Sequence, residues 1–416
     1  MFALLTRCGA AVALSASMLV ASQGLAAPSL IMLPNLPNSF DMVPKAVSAD
    51  GLTVVGDAYP NGSPRAFRWS AAGGIEDLGA FPDAVSSVRA VSADGRVVVG
   101  TSGGKAFRWV EGSGMHELGT PANAFGSPAT GVSADGQVVC GWVWFPAQLG
   151  TSSYRWTQAQ GLEYLPMFSG STYLAAAGIS ADGLVIVGAG TIDDRGRAFR
   201  WETSTGTVDL GLFPMGFFSG AYATSADGAV VIGLSSSNEL LTRGFVWTQE
   251  NGMVPMSMLP GSATSQPRAM SSDGTVVVGQ SYWESTSRYA ATMWAPSLGA
   301  IDLNEYLPSI GVNLGTFTLE DAVGISGDGT AIAGRGRVGT SSPRTWFVSG
   351  LESTLPPCIG DSTGDRAVTF ADITSALGNW GRAYAFPFGP GDCDGSRMVD
   401  MGDVTTVLMH FGEVCR

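Results

Sequence analysis

A five-residue sequence that occurs seven times constrains this chain more than any other feature. Val47-Ser48-Ala49-Asp50-Gly51 recurs around Asp94, Asp135, Asp182, Asp227, Asp273 and Asp328, at intervals of 44, 41, 47, 45, 46 and 55 residues. Each copy leads into a β-branched run ending in Gly, such as Val97-Val98-Val99-Gly100. A segment ending in Trp follows (Trp69, Trp109, Trp156, Trp201, Trp247, Trp294 and Trp346), then a short apolar piece such as Ile75-Glu76-Asp77-Leu78-Gly79. Four short strands in a unit of about 45 residues is the arithmetic of a propeller blade. Asp-Gly supplies a tight hairpin between the first two strands, because Gly accepts positive φ and Asp bonds its own neighbouring backbone. A second strand apolar on both faces fits a strand covered on both sides, and a recurring Trp offers a packing surface between blades.

The seventh unit lacks a fourth strand, while an orphan strand, Leu30-Ile31-Met32-Leu33, stands at the other end of the repeat region. Pairing the two would leave no open sheet edge. The expected architecture for residues 28–349 is therefore an all-β, seven-bladed β-propeller closed by its N-terminal strand; the alternative is an open solenoid of the same units. Segments such as Ala66-Phe67-Arg68-Trp69 and Ala198-Phe199-Arg200-Trp201, together with the Ser-Ala-Asp-Gly turns, resemble the extracellular repeat family called HAF. That resemblance implies a secreted β-repeat protein. The later copies depart from it at Val246, Met293 and Thr345, where the Arg is missing.

Charge and composition narrow the function classes. With 35 acidic against 22 basic side chains and a net charge of -13, the chain has no basic run to neutralise phosphates, which argues against nucleic acid. Only two His occur, His116 and His410, so His-based metal sites and most Ser-His-Asp layouts are close to excluded. Residues 1–27 read as a secretory signal: a basic stretch ending at Arg7, an apolar run from Gly9 to Ala21, and small residues before Pro28. No later segment reaches membrane-spanning length. The expectation is a secreted, extracellular or periplasmic monomer without a membrane span. Cys140, at the end of an apolar strand, reads as a buried thiol, and the pairing of Cys358, Cys393 and Cys415 stays open.

After a linker at residues 350–357 the repeat stops. Residues 358–415 carry oxygen-bearing side chains at EF-hand spacing: Asp361, Thr363, Asp365, the Ala367 carbonyl and Asp372, then Asp392, Asp394, Ser396, the Met398 carbonyl and Asp403. Each run precedes apolar residues at helical spacing, Ile373, Leu377 and Trp380 in the first and Val404, Val407, Leu408 and Phe411 in the second. The tandem resembles the duplicated loop-helix unit of a dockerin. It implies a small α-helical domain, two calcium ions as cofactor and a docking role. Arg366 and Arg397 stand where Gly permits the sharp loop turn, and Phe370-Ala371 and Met401-Gly402 stand where dockerins carry hydroxyl-bearing recognition residues, which counts against a conventional cohesin partner.

Within a blade, the Asp-Gly turns occupy one face and long unrepeated loops the other, and functional residues concentrate on such loops. The candidate ligand contacts are Trp142, Trp144, Tyr282 and Trp283, with Asp193, Asp194, Glu239, Glu284, Glu305 and Glu320 nearby in sequence. Two functions are open. One is a non-catalytic binding or surface-attachment protein whose partner is an extracellular protein or polysaccharide. The other is a polysaccharide-active enzyme, a glycoside hydrolase or lyase with a carboxylate pair as acid and base. No acidic pair stands out in a motif, which favours binding.

Overall fold

The computed structural model describes residues 28–147, 150–237, 241–295 and 299–351, together with Val404, Thr405 and Val407. The described residues form 28 strands and one helix element, and Val404, Thr405 and Val407 are also helical. The strands make seven four-stranded antiparallel units, with those of the fourth and fifth blades joined by a single parallel bridge between Gly196 and Phe218. This is a β-propeller. Its inner strands are Ser39–Val47, Ser86–Val91, Ala129–Val132, Leu174–Ile179, Gly216–Thr224, Thr264–Met270 and Phe317–Ile325, for blades one to seven.

The recurring Ser and Asp close each turn by one scheme. In the first blade the Ser48 hydroxyl donates to Asp50 Oδ1 at 2.5 Å, the Leu52 amide donates to the same oxygen at 3.0 Å, and the Thr53 amide donates back to Ser48 Oγ at 3.0 Å. Blade two repeats it with Ser92, Asp94, Arg96 and Val97. The turns also join the blades. Ala93 N–H donates to Ala134 O, Ala134 to Ala181, Ala181 to Ala226, Ala226 to Ser272, Ser272 to Gly327 and Gly327 to Ala49, at 2.7 to 3.0 Å, and Asp50 N–H completes the circuit onto Ala93 O. Every blade thus donates one backbone bond to a neighbour and accepts one from the other. The turn Gly is required here on two counts: Gly95 has φ +71, and a Cβ on it would lie 2.2 Å from Thr53 Oγ1 of the preceding blade.

A second device repeats in every inner strand. The pairing of inner and second strands slips by one residue at the same place, leaving Lys45, Arg89, Thr130, Ala177, Tyr222, Arg268 and Val323 as bulge residues. The bulge presses a carbonyl onto the Gly that ends the Val-rich run. A Cβ at Gly100 would lie 2.1 Å from Ser87 O, and one at Gly334 would lie 2.0 Å from Asp321 O. That Gly is a close-approach residue, and the bulge is the reason it recurs.

Closure is visible in the register. Ser29–Met32 pairs antiparallel with the third strand of the seventh blade, Met32 opposite Trp346 and Ser29 opposite Ser349. Leu33 and Leu36, both buried, join a cluster shared by the first and seventh blades that includes Trp69 and Phe347, whose ring centroids are 5.3 Å apart. The Arg of the Trp segment adds a bond to the next blade in four places: Arg68, Arg108, Arg155 and Arg200 donate through Nε to the turn carbonyls of Gly95, Gly136, Gly183 and Gly228.

The expectation of an additional α-helical, dockerin-like domain is overturned, since the described residues make a propeller and no such domain. The one helix element, Leu303–Ser309, is an insertion between the sixth and seventh blades, capped by the Asp302 side chain and buried through Leu303 and Leu307. Oxygen spacing and apolar periodicity indicate which side chains can share a face. They do not establish that so short a segment buries enough apolar surface to stand as a domain.

Two outcomes follow for stability. Removing residues 28–38 strips the closing strand and the burial of Leu33 and Leu36, a loss of about 3 to 6 kcal/mol from those side chains alone. The whole propeller should then unfold at lower denaturant in one transition; an unshifted midpoint would contradict closure. The turn carboxyls set the acid limit. Hydrogen bonds from Ser133 and Gln137 hold the Asp135 carboxyl below its usual range, and those from Ser225 and Ala229 do the same for Asp227. At Asp94 and Asp328 burial pushes upward but the same kind of bonds outweigh it. A depressed folded-state value contributes stability above the unfolded value of about 3.9, and the contribution is lost as pH falls through the folded value. Asp57 and Asp321, raised by burial, act oppositely and gain on protonation. Melting temperature should hold or rise slightly on mild acidification and then drop below about pH 4, less steeply in Asp135→Asn/Asp227→Asn. A profile unchanged by that double substitution would contradict the assignment.

Candidate functional site

Two concavities stand out. The larger, about 280 Å³, is the central channel between the bulge residues and the turn circuit. Its walls are mostly small, as at Ala90, Gly131, Ala181 and Gly327, because neighbouring inner strands approach closely there. Lys45, Arg89 and Arg268 project into it with Tyr222. Lys45 Nζ lies 3.8 Å from Asp57, a buried carboxylate that also accepts from the Val88 amide at 2.8 Å and the Ser87 hydroxyl at 2.9 Å. Desolvation lowers the Lys45 pKa; Asp57 opposes this, and Arg89, Arg335 and Arg268 add to it. Arg268 lies 3.3 Å from Asp321, whose carboxyl is raised first by burial and held down in part by Arg268.

The second concavity, about 220 Å³, is lined by Trp142, Trp144, Thr151 and Tyr173. Trp142 and Trp144 are two apart on the second strand of the third blade, so they share a face. Tyr173 stands just before the fourth inner strand and is brought alongside by a parallel bridge to Thr151, whose amide donates to Thr172 O at 2.9 Å. Trp144 and Tyr173 are exposed, and Phe125, 76% exposed, meets the Trp144 ring edge-on at a centroid distance of 5.3 Å. The cleft therefore spans two blades and presents aromatic faces to solvent, a surface suited to flat or ring-shaped ligands with an apolar side.

Tyr282 and Trp283 do not join it. They lie in the sixth blade, where Tyr282 packs on Tyr289 at 4.6 Å, Trp283 Nε1 donates to Pro260 O at 3.0 Å, and the Arg288 guanidinium covers the Trp283 ring at 4.5 Å. Asp193 and Asp194 are hairpin residues, with φ 50 and 59. Glu320 pairs with Arg337 at 2.7 Å. Cys140 is a buried free thiol whose pKa burial pushes up to about 12.

Asp361, Thr363, Asp365, Ala367, Asp372, Asp392, Asp394, Ser396, Met398 and Asp403 lie outside the described residues. Among the described residues no group of three or more His, Cys, Asp or Glu is placed to hold a metal ion, and no helix is long and apolar enough to cross a membrane.

Sequence reasoning missed Tyr173 and Phe125, which reach the cleft from other segments. It also missed the channel cations, although a signal existed: all seven bulge residues stand three positions before the turn Ser.

No protein-family model matches the sequence, and no curated protein matches it. The fold does match solved structures. An oligogalacturonate lyase from Vibrio parahaemolyticus superposes with a TM-score of 0.54 at 10% identity, over 78% of this chain and 98% of that one. An oligogalacturonate lyase in complex with manganese gives 0.51 at 10% identity, over 77% and 90%. At such identities the likeness is one of fold.

Proposed function

We propose that this chain is an exported, non-catalytic binding protein that uses the propeller as a rigid scaffold and takes a polysaccharide in the cleft of Trp142, Trp144 and Tyr173. The observation that carries the reading is the cleft itself. Trp144 and a Tyr from the next blade are exposed and Trp142 is half-buried beside them, whereas the Trp of the repeat position is buried in most blades. Aromatic faces of this kind pack against the C–H face of a sugar ring, and Thr151 places a hydroxyl among them. Fixing the rings on paired strands limits the conformational freedom lost on binding. The export part rests on residues 1–27 of the sequence.

The enzymatic reading has less support. Asp57 and Asp321, the carboxyls whose pKa burial raises, each lie against a cation, Lys45 and Arg268, and Asp57 is further tied to Ser87 and Val88. Calcium binding by the acidic runs 361–372 and 392–403 remains a separate proposal resting on oxygen spacing alone.

A glycan-array screen on the full chain, followed by tryptophan-fluorescence titration of each hit, tests the cleft. Trp142→Ala/Trp144→Ala should weaken binding at least tenfold without moving the melting transition of the propeller, and Tyr282→Ala/Trp283→Ala should leave affinity unchanged. Equal affinity of the first double variant and the parent, or no glycan bound by the parent, overturns the reading. For calcium, calorimetry on the full chain should show heat that Asp361→Ala/Asp392→Ala removes; a parent that takes up no calcium ends that proposal.

A further inference from the structure

The seven bulge residues form one level of the central channel, and their chemistry is lopsided. Running around it from the fifth blade they are Tyr222, Arg268, Val323, Lys45 and Arg89, then Thr130 and Ala177. One arc thus carries three long cations and a phenol, and the opposite arc carries a methyl and a short hydroxyl. The space left by the small arc faces the cations. Thr130 is already committed, its hydroxyl donating to Ala176 O at 3.0 Å.

Concentrating three cations in one ring is costly in the absence of compensating charge. In a chain whose formal charge is -13 it is also contrary to the overall balance. The nearby carboxylates compensate only in part. Asp57 sits behind Lys45, Asp321 beside Arg268, and Asp41 takes Arg335 at 2.9 Å. None of the three is a bulge residue. Arg89 makes no ion pair within 4.0 Å among the described residues, and its guanidinium, exposed to the channel, keeps its donors for another partner. The side chains of Lys45 and Arg268 are 30% and 38% exposed, which leaves them reachable and partly desolvated. In a narrow passage walled by low-dielectric Ala and Val, such charges act at greater effective strength than on an open surface.

We propose that the central channel binds a small ligand through an anionic oxygen group (carboxylate, sulfate or phosphate) gripped by Arg89, Lys45 and Arg268, with the Tyr222 hydroxyl beside it. Arg89 supplies a planar donor fork for two oxygens, Lys45 a point charge and Arg268 a second guanidinium charge, whose Nε and Nη2 also meet Asp321 and Gln266. The site is separate from the aromatic cleft, which draws on Trp142, Trp144, Thr151 and Tyr173 and shares no lining residue with the channel.

Calorimetric titration of the full chain with sodium sulfate, sodium phosphate and sodium glucuronate as separate arms tests this and distinguishes a free inorganic anion from a sugar carboxylate. At least one should bind with one-to-one stoichiometry and weaken as sodium chloride is raised. Arg89→Gln/Arg268→Gln should weaken that binding at least tenfold, Arg89→Lys should weaken it less, and Trp142→Ala/Trp144→Ala should leave it unchanged, so that failure of the channel site and failure of the cleft are read apart. If the double variant melts early, Arg89→Gln alone replaces it, since that side chain holds no ion pair to lose. No binding in any arm, or a variant of unchanged melting that binds as tightly as the parent, overturns the proposal.

Discussion

The circuit of backbone hydrogen bonds that runs from Ala93 through Gly327 and Ala49 back to Asp50 holds the seven blades in one registry. Hydrophobic burial alone is non-directional and would allow neighbouring sheets to slide. The circuit removes that freedom, because each turn donates to one neighbour and accepts from the other. Ser and Asp are needed at the turn because their side chains satisfy the local amides, leaving the amide of the intervening residue, or in the first blade that of Asp50, free to reach across. The Trp layer, the Arg bonds to turn carbonyls and the closing N-terminal strand all act on blades already fixed in spacing.

The same geometry fixes what the channel can contain. Because inner strands approach closely, the residue two before the turn Ser is held to Ala or Gly, as at Ala46, Gly131 and Gly324. The bulge residue just before it is released from the ladder and can be of any size. The fold thus offers seven variable positions around an otherwise uniform tube, and this chain fills three of them with cations. Variation at those positions changes the channel without disturbing a blade, a separation of scaffold from site that reused folds commonly show.

Much of the scaffold was legible in the sequence, since the Asp-Gly turns, the Val runs and the Trp positions each state a local structure. The bulge was not, although its trace was present: the Gly that recurs at the end of each Val run answers a carbonyl pressed against it. Trp142 and Trp144 could be paired from their spacing, whereas Tyr173 arrives from another blade and has no local signal. Tyr282 and Trp283 looked equivalent to them, but cross-strand register sets Tyr289 and Arg288 directly opposite and occupies both rings. At residues 358–415, oxygen spacing and apolar periodicity state side-chain chemistry, and the domain expected from them is not among the described residues.

The closing strand has a further consequence, for the order of events rather than for stability. Ser29–Met32 is the first strand of the propeller to be made, and its partner, Arg344–Ser349, is the last. The seventh blade therefore cannot be completed until nearly the entire repeat region exists, and the loop-closure entropy of that one pairing falls due at the end. Until then two strand edges, one at each end of the growing array, are open to pairing with other chains. A protein built this way is most exposed to misassembly just before it finishes folding, and least so once the ring has shut.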